Sequence, residues 1–171
     1  SAGIGAVVWG LGYVFTYLLV ATDLESSPLN RLIELFEGDS ATYELVGGVF
    51  YNAHFVNISY TGISIFSPPT NFVGGEDGFT ALLYLVPPAV LLISGLAVGR
   101  YRGVTDPTDG AITGTLVTPG YLLLSIAGVF LFTISVGDVS GAPDLLPAVF
   151  LTGLIYPIVF GATGGVLASV T

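Results

Sequence analysis

Cysteine and lysine are both absent from the 171 residues, histidine occurs once, and charged residues of either sign make up only 9%. Without cysteine there is no disulfide, no thiolate nucleophile and no cysteine-ligated zinc or iron–sulfur cluster, so redox compartment leaves no mark on the chain. Without lysine there is no Schiff base to retinal or another carbonyl. The cations reduce to Arg31, Arg100 and Arg102 against twelve acids, a formal net charge of −9. Such a surface does not attract phosphate, which argues against nucleic acid as a partner. It also lacks a polybasic anchor for anionic lipid.

What is abundant is apolar side chain: 53% of the residues are hydrophobic and the mean hydropathy is +0.88. That is more than one soluble core of this length can hide from water, so the chain reads as an integral membrane protein with membrane lipids as its first partners. Carboxylates gathered in the loops, with lysine eliminated, suit a surface kept hydrated in multimolar salt, where screening reaches only about 3 Å at 1 M. A halophilic archaeon is the expected source.

Four apolar runs are long enough to cross a bilayer: residues 4–21, 80–99, 111–136 and 145–170. A hydrocarbon core of about 30 Å needs about 20 helical residues at 1.5 Å each. The first run follows no basic segment and exceeds a signal-peptide core, so it reads as a span, with the start at Ser1 pointing to N-terminal processing. The expected architecture is a single all-α polytopic domain over residues 1–171. It has four transmembrane helices with kinks at prolines, plus an extracellular cap of short helices over residues 22–79. Pro87-Pro88, Pro119, Pro147 and Pro157 lie in the last three spans, where bends should face protein, because lipid cannot satisfy a freed carbonyl.

The cap carries eight of the twelve acids. Ser27-Pro28 reads as an N-cap followed by proline at the first helical position. The short amphipathic helix it opens ends at Gly38 and places Leu29, Leu32, Ile33 and Phe36 on one face. This helix is expected to lie along the interface or pack on the spans. A second, re-entrant or packed helix is expected over residues 41–56, loosened at Gly47-Gly48, with Val46, Phe50 and His54 on one stripe. Residues 58–66 alternate weakly and read as extended. Pro68-Pro69 and the glycine-rich residues 74–78 then make a hydrated turn.

Arg100 and Arg102 lie between the second and third spans, which the positive-inside rule places in the cytoplasm together with both termini. The cap and residues 138–144 then face outward. The tripeptide Asn57-Ile58-Ser59 is a glycosylation acceptor on that side, so Asn57 is a candidate modification site.

Glycines four apart occur at Gly95 and Gly99, Gly110 and Gly114, and Gly161 and Gly165, with Ala6 and Gly10 as a looser pair. In lipid such pairs let helix backbones approach closely, within one bundle or between subunits, and four bent helices carry more such faces than one bundle buries. A homo-oligomer or a complex with other membrane subunits is expected.

The lone His54 invites a metal or acid–base reading, with Glu44, Tyr51, Asn52 and Tyr60 nearby. A metal site needs further ligands and an acid–base pair needs a nucleophile, so a histidine bonded within a packed domain is favoured. No cofactor, metal or catalytic residue is assigned. The spans carry no charged residue at central depth, unlike most ion-coupled transporters. Their hydroxyls serve better as helix glue than as a pore lining.

Three segments carry a resemblance: YNAHFV at residues 51–56, LYLVPPAVLL at 83–92 and LLPAVFLTGLIYPIVFG at 145–161. The chain resembles a haloarchaeal family of four-span transmembrane proteins of uncharacterised function, with one span, an outer insertion holding the YNAHFV motif, and three more spans. The resemblance implies location and architecture and no activity. The expected function is non-enzymatic: a structural or accessory membrane subunit whose cap contacts a partner through Tyr51, Asn52, His54 and Phe55. The alternative is a channel or small-solute permease built at the proline-kinked helices.

Overall fold

A computed structural model describes residues 2–63 and 68–171. Four helices are long and apolar enough to cross a membrane: α1 (Ala2–Glu25), α4 (Ala81–Arg102), α5 (Pro107–Leu131) and α6 (Leu145–Val170). Between the first two of these come the shorter α2 (Pro28–Glu37) and α3 (Thr42–Asn52). The expectation of a helical architecture with four potential spans holds, and a small sheet is added to it.

The prolines stand where the helices change pitch. In α4 the first turn, Ala81–Leu85, is 3-10, and the Val86 N–H donates to the Leu83 carbonyl, the acceptor that Pro87 has no N–H to serve. In α5 a 3-10 turn, Thr115–Val117, precedes Pro119, and the Thr118 N–H takes the Thr115 carbonyl in the same way. In α6 the wider π-helical stretch Ala148–Ile155 precedes Pro157, and the Tyr156 N–H reaches the Leu151 carbonyl. Pro87 and Pro119 are thus accommodated by tightening the turn before each, which keeps the carbonyl four residues back paired in an apolar surrounding, while Pro157 follows a widened turn. Pro87 and Pro157 are buried, as expected of bends that face protein, whereas Pro119 is exposed.

The glycine pairs are consumed inside the chain. A Cβ at Gly95 or Gly114 would collide with the Gly161 carbonyl, one at Gly110 with the Gly165 carbonyl, and one at Gly99 with the Ala168 side chain. All six residues of the three pairs therefore lie on one three-helix crossing of α4, α5 and α6. A second close approach joins α1 to α5, where a Cβ at Gly5 would strike the Val117 carbonyl. These pairs therefore leave no free face for a second subunit, while Gly10 of α1 has nothing within 4 Å of its Cβ position.

The third span ends at Leu131, five residues short of the expected 136. Ile134-Ser135-Val136 alternates, and Gly137-Asp138 is a two-residue hairpin signal. These residues form β2 (Ile134–Val136) and turn at Gly137, φ 58°, into β3 (Val139–Pro143). From the cap, β1 (Ile58–Thr61) pairs antiparallel with β3, Ile58 opposite Pro143 and Thr61 opposite Ser140. The sheet order is β1-β3-β2. The cap is thus not made of short helices alone: it is hydrogen-bonded to the α5–α6 connection at one end of the bundle. Residues 64–66 of the expected extended stretch lie outside the described residues. At the opposite end, Arg100 donates to the Thr171 hydroxyl at 3.1 Å.

α2 forms as its caps dictate: the Ser27 side chain accepts from the Asn30 N–H at 3.2 Å, and Gly38 closes it with φ 84°. α3 runs unbroken through Gly47-Gly48, because Gly47 is where the Phe132 ring lies against the helix.

Over-packing a close helix crossing costs about 1–3 kcal/mol or more. Gly114→Val is expected to abolish the cooperative thermal unfolding seen by circular dichroism in detergent. Gly10→Ala, which meets nothing, should leave the transition unchanged or raise it, since alanine replaces glycine in a helix at a gain of up to about 1 kcal/mol.

Candidate functional site

The only histidine sits at the end of α3, inside the bundle. α3 enters on a polar clamp: the fully buried Asn30 donates to the Thr42 hydroxyl at 2.8 Å and accepts from the Ala41 N–H at 2.8 Å. From there Leu45, Val46, Val49, Phe50 and Tyr51 are all buried. Glycines on the spans receive the rings: Gly12 lies under Phe50, and Gly128 under Tyr51 and Trp9. Trp9 meets Phe50 edge-on with centroids 5.1 Å apart and stacks on Phe132 at 6.0 Å.

Each polar group in the YNAHFV motif finds a partner in this apolar setting. The Tyr51 hydroxyl donates to the Ser125 carbonyl of α5. Asn52 donates to the Val56 carbonyl at 2.8 Å and to Thr70 at 3.3 Å, and accepts from the Phe72 N–H at 2.9 Å. His54, 0% exposed, has Nδ1 at 2.8 Å from the Phe50 carbonyl and Nε2 at 2.9 Å from the Tyr121 hydroxyl. A carbonyl can only accept, so Nδ1 carries the proton, and because burial keeps the ring neutral Nε2 accepts from the Tyr121 hydroxyl. Burial pushes its pKa from 6.5 down to about 3, against a weaker opposing pull from the Phe50 carbonyl. Burial likewise pushes the Tyr51 hydroxyl up. The Tyr156 ring closes the other side of His54, centroids 4.8 Å apart.

The motif ends in a strained cap. Phe55 N–H donates to the Asn52 carbonyl and Val56 N–H to the Tyr51 carbonyl, both characteristic of a Schellman turn, and Phe55 takes the left-handed position at φ 60° that glycine usually fills. A non-glycine residue there costs roughly 1–2 kcal/mol. Phe55 stacks flat on Tyr84 at 4.4 Å, which returns about 0.5–1.5 kcal/mol.

These positions separate the expected contact residues. Tyr51, Asn52 and His54 are completely buried and offer no surface to a partner, while Phe55 is 59% exposed. Of the four expected contact residues, only Phe55 therefore reaches the surface. Asn57 is exposed, just before β1. Glu44 does not pair with His54; it lines a separate cavity, together with Tyr60. Among the described residues no three His, Cys, Asp or Glu side chains gather closely enough to hold a metal ion. Sequence reasoning missed Tyr121, Ser125 and Tyr156 as partners of the motif. Their only signal was a hydroxyl in an apolar run, shared with many residues that simply bond back to their own helix, such as Thr16 to the Gly12 carbonyl at 2.9 Å.

The arrangement is that of a helical protein with four potential membrane spans, its centre filled by a short helix whose polar groups are internally satisfied. The chain belongs to DUF7978, a family of unknown function whose profile matches residues 1–171. No curated protein and no solved structure matches it.

A histidine whose folded pKa is depressed stabilises the fold fully above its unfolded pKa and progressively less as pH falls toward the folded value. Between pH 6.5 and 3 the wild type should lose up to about 1.4 kcal/mol per pH unit through His54. Subtracting the pH profile of His54→Gln, measured by thermal unfolding in detergent, should isolate that slope from the carboxylates. Tyr121→Phe, which leaves Nε2 unpaired, should cost about 1–3 kcal/mol at pH 7.5 in the same assay.

Proposed function

We propose that the protein is a non-enzymatic structural or accessory component of the cell membrane of a halophilic archaeon, acting as an oligomer or as a subunit of a membrane complex. The observation that carries this reading is the closed interior. The one histidine spends both ring nitrogens on internal bonds, and Trp9, Phe50, Tyr51, Tyr121 and Tyr156 fill the bundle centre beside it. A substrate has no approach to His54, and a solute path through the bundle would require α3 to leave.

The acidic surface supports the halophilic assignment: ten of the twelve acids are exposed, Glu44 and Asp144 being half-buried. The two-ended build supports the orientation. Arg100 and Arg102 sit at the end that would face the cytoplasm with both termini, and the sheet, α2 and Asn57 at the end that would face out. Partner contact then falls on the exposed Phe55, stacked on the half-buried Tyr84 at the outer end, and on α1 beside the open Gly10.

The test is the native mass of the complex extracted gently from its own membrane. A mass well above one 17.6 kDa chain is expected, reduced by Phe55→Ser; a single chain carrying only lipid would overturn the assembly. Flux of ions and small neutral solutes into reconstituted vesicles should stay at background, and a selective, saturable flux would replace this reading with a permease.

A further inference from the structure

Between α2 and the sheet lies a cavity of about 290 Å³, separate from the histidine site and close to the lower end of the roughly 300–1,000 Å³ typical of small-ligand pockets. Leu32, Ile33 and Phe36 of α2 form one wall, and Ile58, Ile134 and Val139 of the three strands form the other. α2 therefore roofs a cavity instead of packing flat on the spans. Among the described residues, Glu44 is the only ionisable side chain in the lining besides the Tyr60 phenol, and none of the three arginines belongs to it. Water in such a space would find few partners, and apolar cavities of this kind stay dry or take an apolar guest.

The chain path indicates where the guest comes from. Phe130 and Leu131, at the end of α5, are 67% and 65% exposed on the outer face of a potential span. Phe132 and Ile134, which follow, are in the cavity wall, and the exposed Thr133 between them turns its hydroxyl back to the Val129 carbonyl at 2.9 Å. The apolar stretch that would meet lipid thus leads along the chain into the cavity wall, broken only by Thr133. The α2 side chains over it stay unusually bare, Leu32 at 51% and Phe36 at 70% exposed.

We propose that this cavity binds the single hydrocarbon chain of a membrane amphiphile whose head is a hydrogen-bond donor, a hydroxyl or an amine, held by the Glu44 carboxylate. A phosphate or carboxylate head is disfavoured, since the one charge at the site is negative. The volume admits one chain and excludes a two-tailed lipid carried whole.

The probe is a diazirine-bearing hexadecanol, photolysed with the full-length protein in phosphatidylcholine vesicles and mapped by mass spectrometry of chymotryptic peptides. Labelling is expected to concentrate on α2 and residues 132–141, at least about fivefold above the exposed face of α1, and to be competed by unlabelled hexadecanol. Gly48→Leu tests the site without a clash. Gly48 lines the cavity, and a Cβ there would meet only the Ile58 side chain, Cδ1 at 3.5 Å and Cγ1 at 3.8 Å, both ordinary contacts. This variant should fill the space and cut the labelling by about fivefold or more. Glu44→Gln should preserve competition by hexadecanol, which an amide oxygen can still accept from, and weaken competition by hexadecylamine. Labelling spread evenly over the outer faces of the spans, or unaffected by a folded Gly48→Leu, would overturn the site. Should Gly48→Leu fail to fold, the wild-type map and its competition by hexadecanol decide alone.

Discussion

An imidazole with no water around it must either be neutral with both nitrogens bonded or not be there at all, and His54 meets the first condition only because α3 and α5 are held in register. The Phe50 carbonyl supplies an acceptor for one nitrogen, and the Tyr121 hydroxyl a donor for the other. The Tyr51 hydroxyl repeats the tie one turn along α5, at the Ser125 carbonyl. Losing either partner leaves a polar atom stranded in a medium that charges heavily for it. The seating of α3 against α5 is therefore specific where apolar packing alone would tolerate sliding.

That seating depends on backbone room. Rings as large as Phe50, Tyr51 and Phe132 fit between helices only where the facing residue has no side chain, and Gly12, Gly128 and Gly47 each stand under one of them. On the other side of the bundle the same device does the opposite job: with glycine on α4, α5 and α6 the backbones touch and leave no space for an inserted element. The bundle is thus lopsided, tight where α4, α5 and α6 cross and opened by α3 between α1 and α5. Pro87 and Pro119 fit the same logic, since each is preceded by a 3-10 turn that re-pairs the carbonyl it would have stranded.

The end that carries the sheet is built on different terms. Its strands are short and its apolar residues only half-covered, so α2 and the sheet enclose a cavity where the spans enclose side chains. The strained Phe55 turn sits at the junction of the two regimes, its backbone cost set against stacking on Tyr84. A glycine would serve the turn alone; the ring ties the end of the buried motif to α4.

Much was legible beforehand because its causes are local. The four apolar runs, the Ser27-Pro28 start and Gly38 stop of α2, and a second short helix after it follow from length, periodicity and capping, which neighbouring residues settle among themselves. The hairpin at residues 134–143 was equally local, in its Gly-Asp turn, and was obscured by the apolar run that leads into it. The contacts of His54 were not legible. Tyr121 is 67 residues away, and nothing in a lone hydroxyl within an apolar helix distinguishes a partner across the bundle from one bonded to its own backbone. Likewise glycines four apart announce a close contact without saying with which helix. The sequence by itself thus determined the class, four long apolar helices with an acidic polar insertion, since hydropathy and charge are sums over neighbours. Only the tertiary structure decided that the motif is the buried centre of the bundle and that the glycine pairs meet within one chain. Those outcomes depend on pairings between distant residues, which composition and spacing leave open.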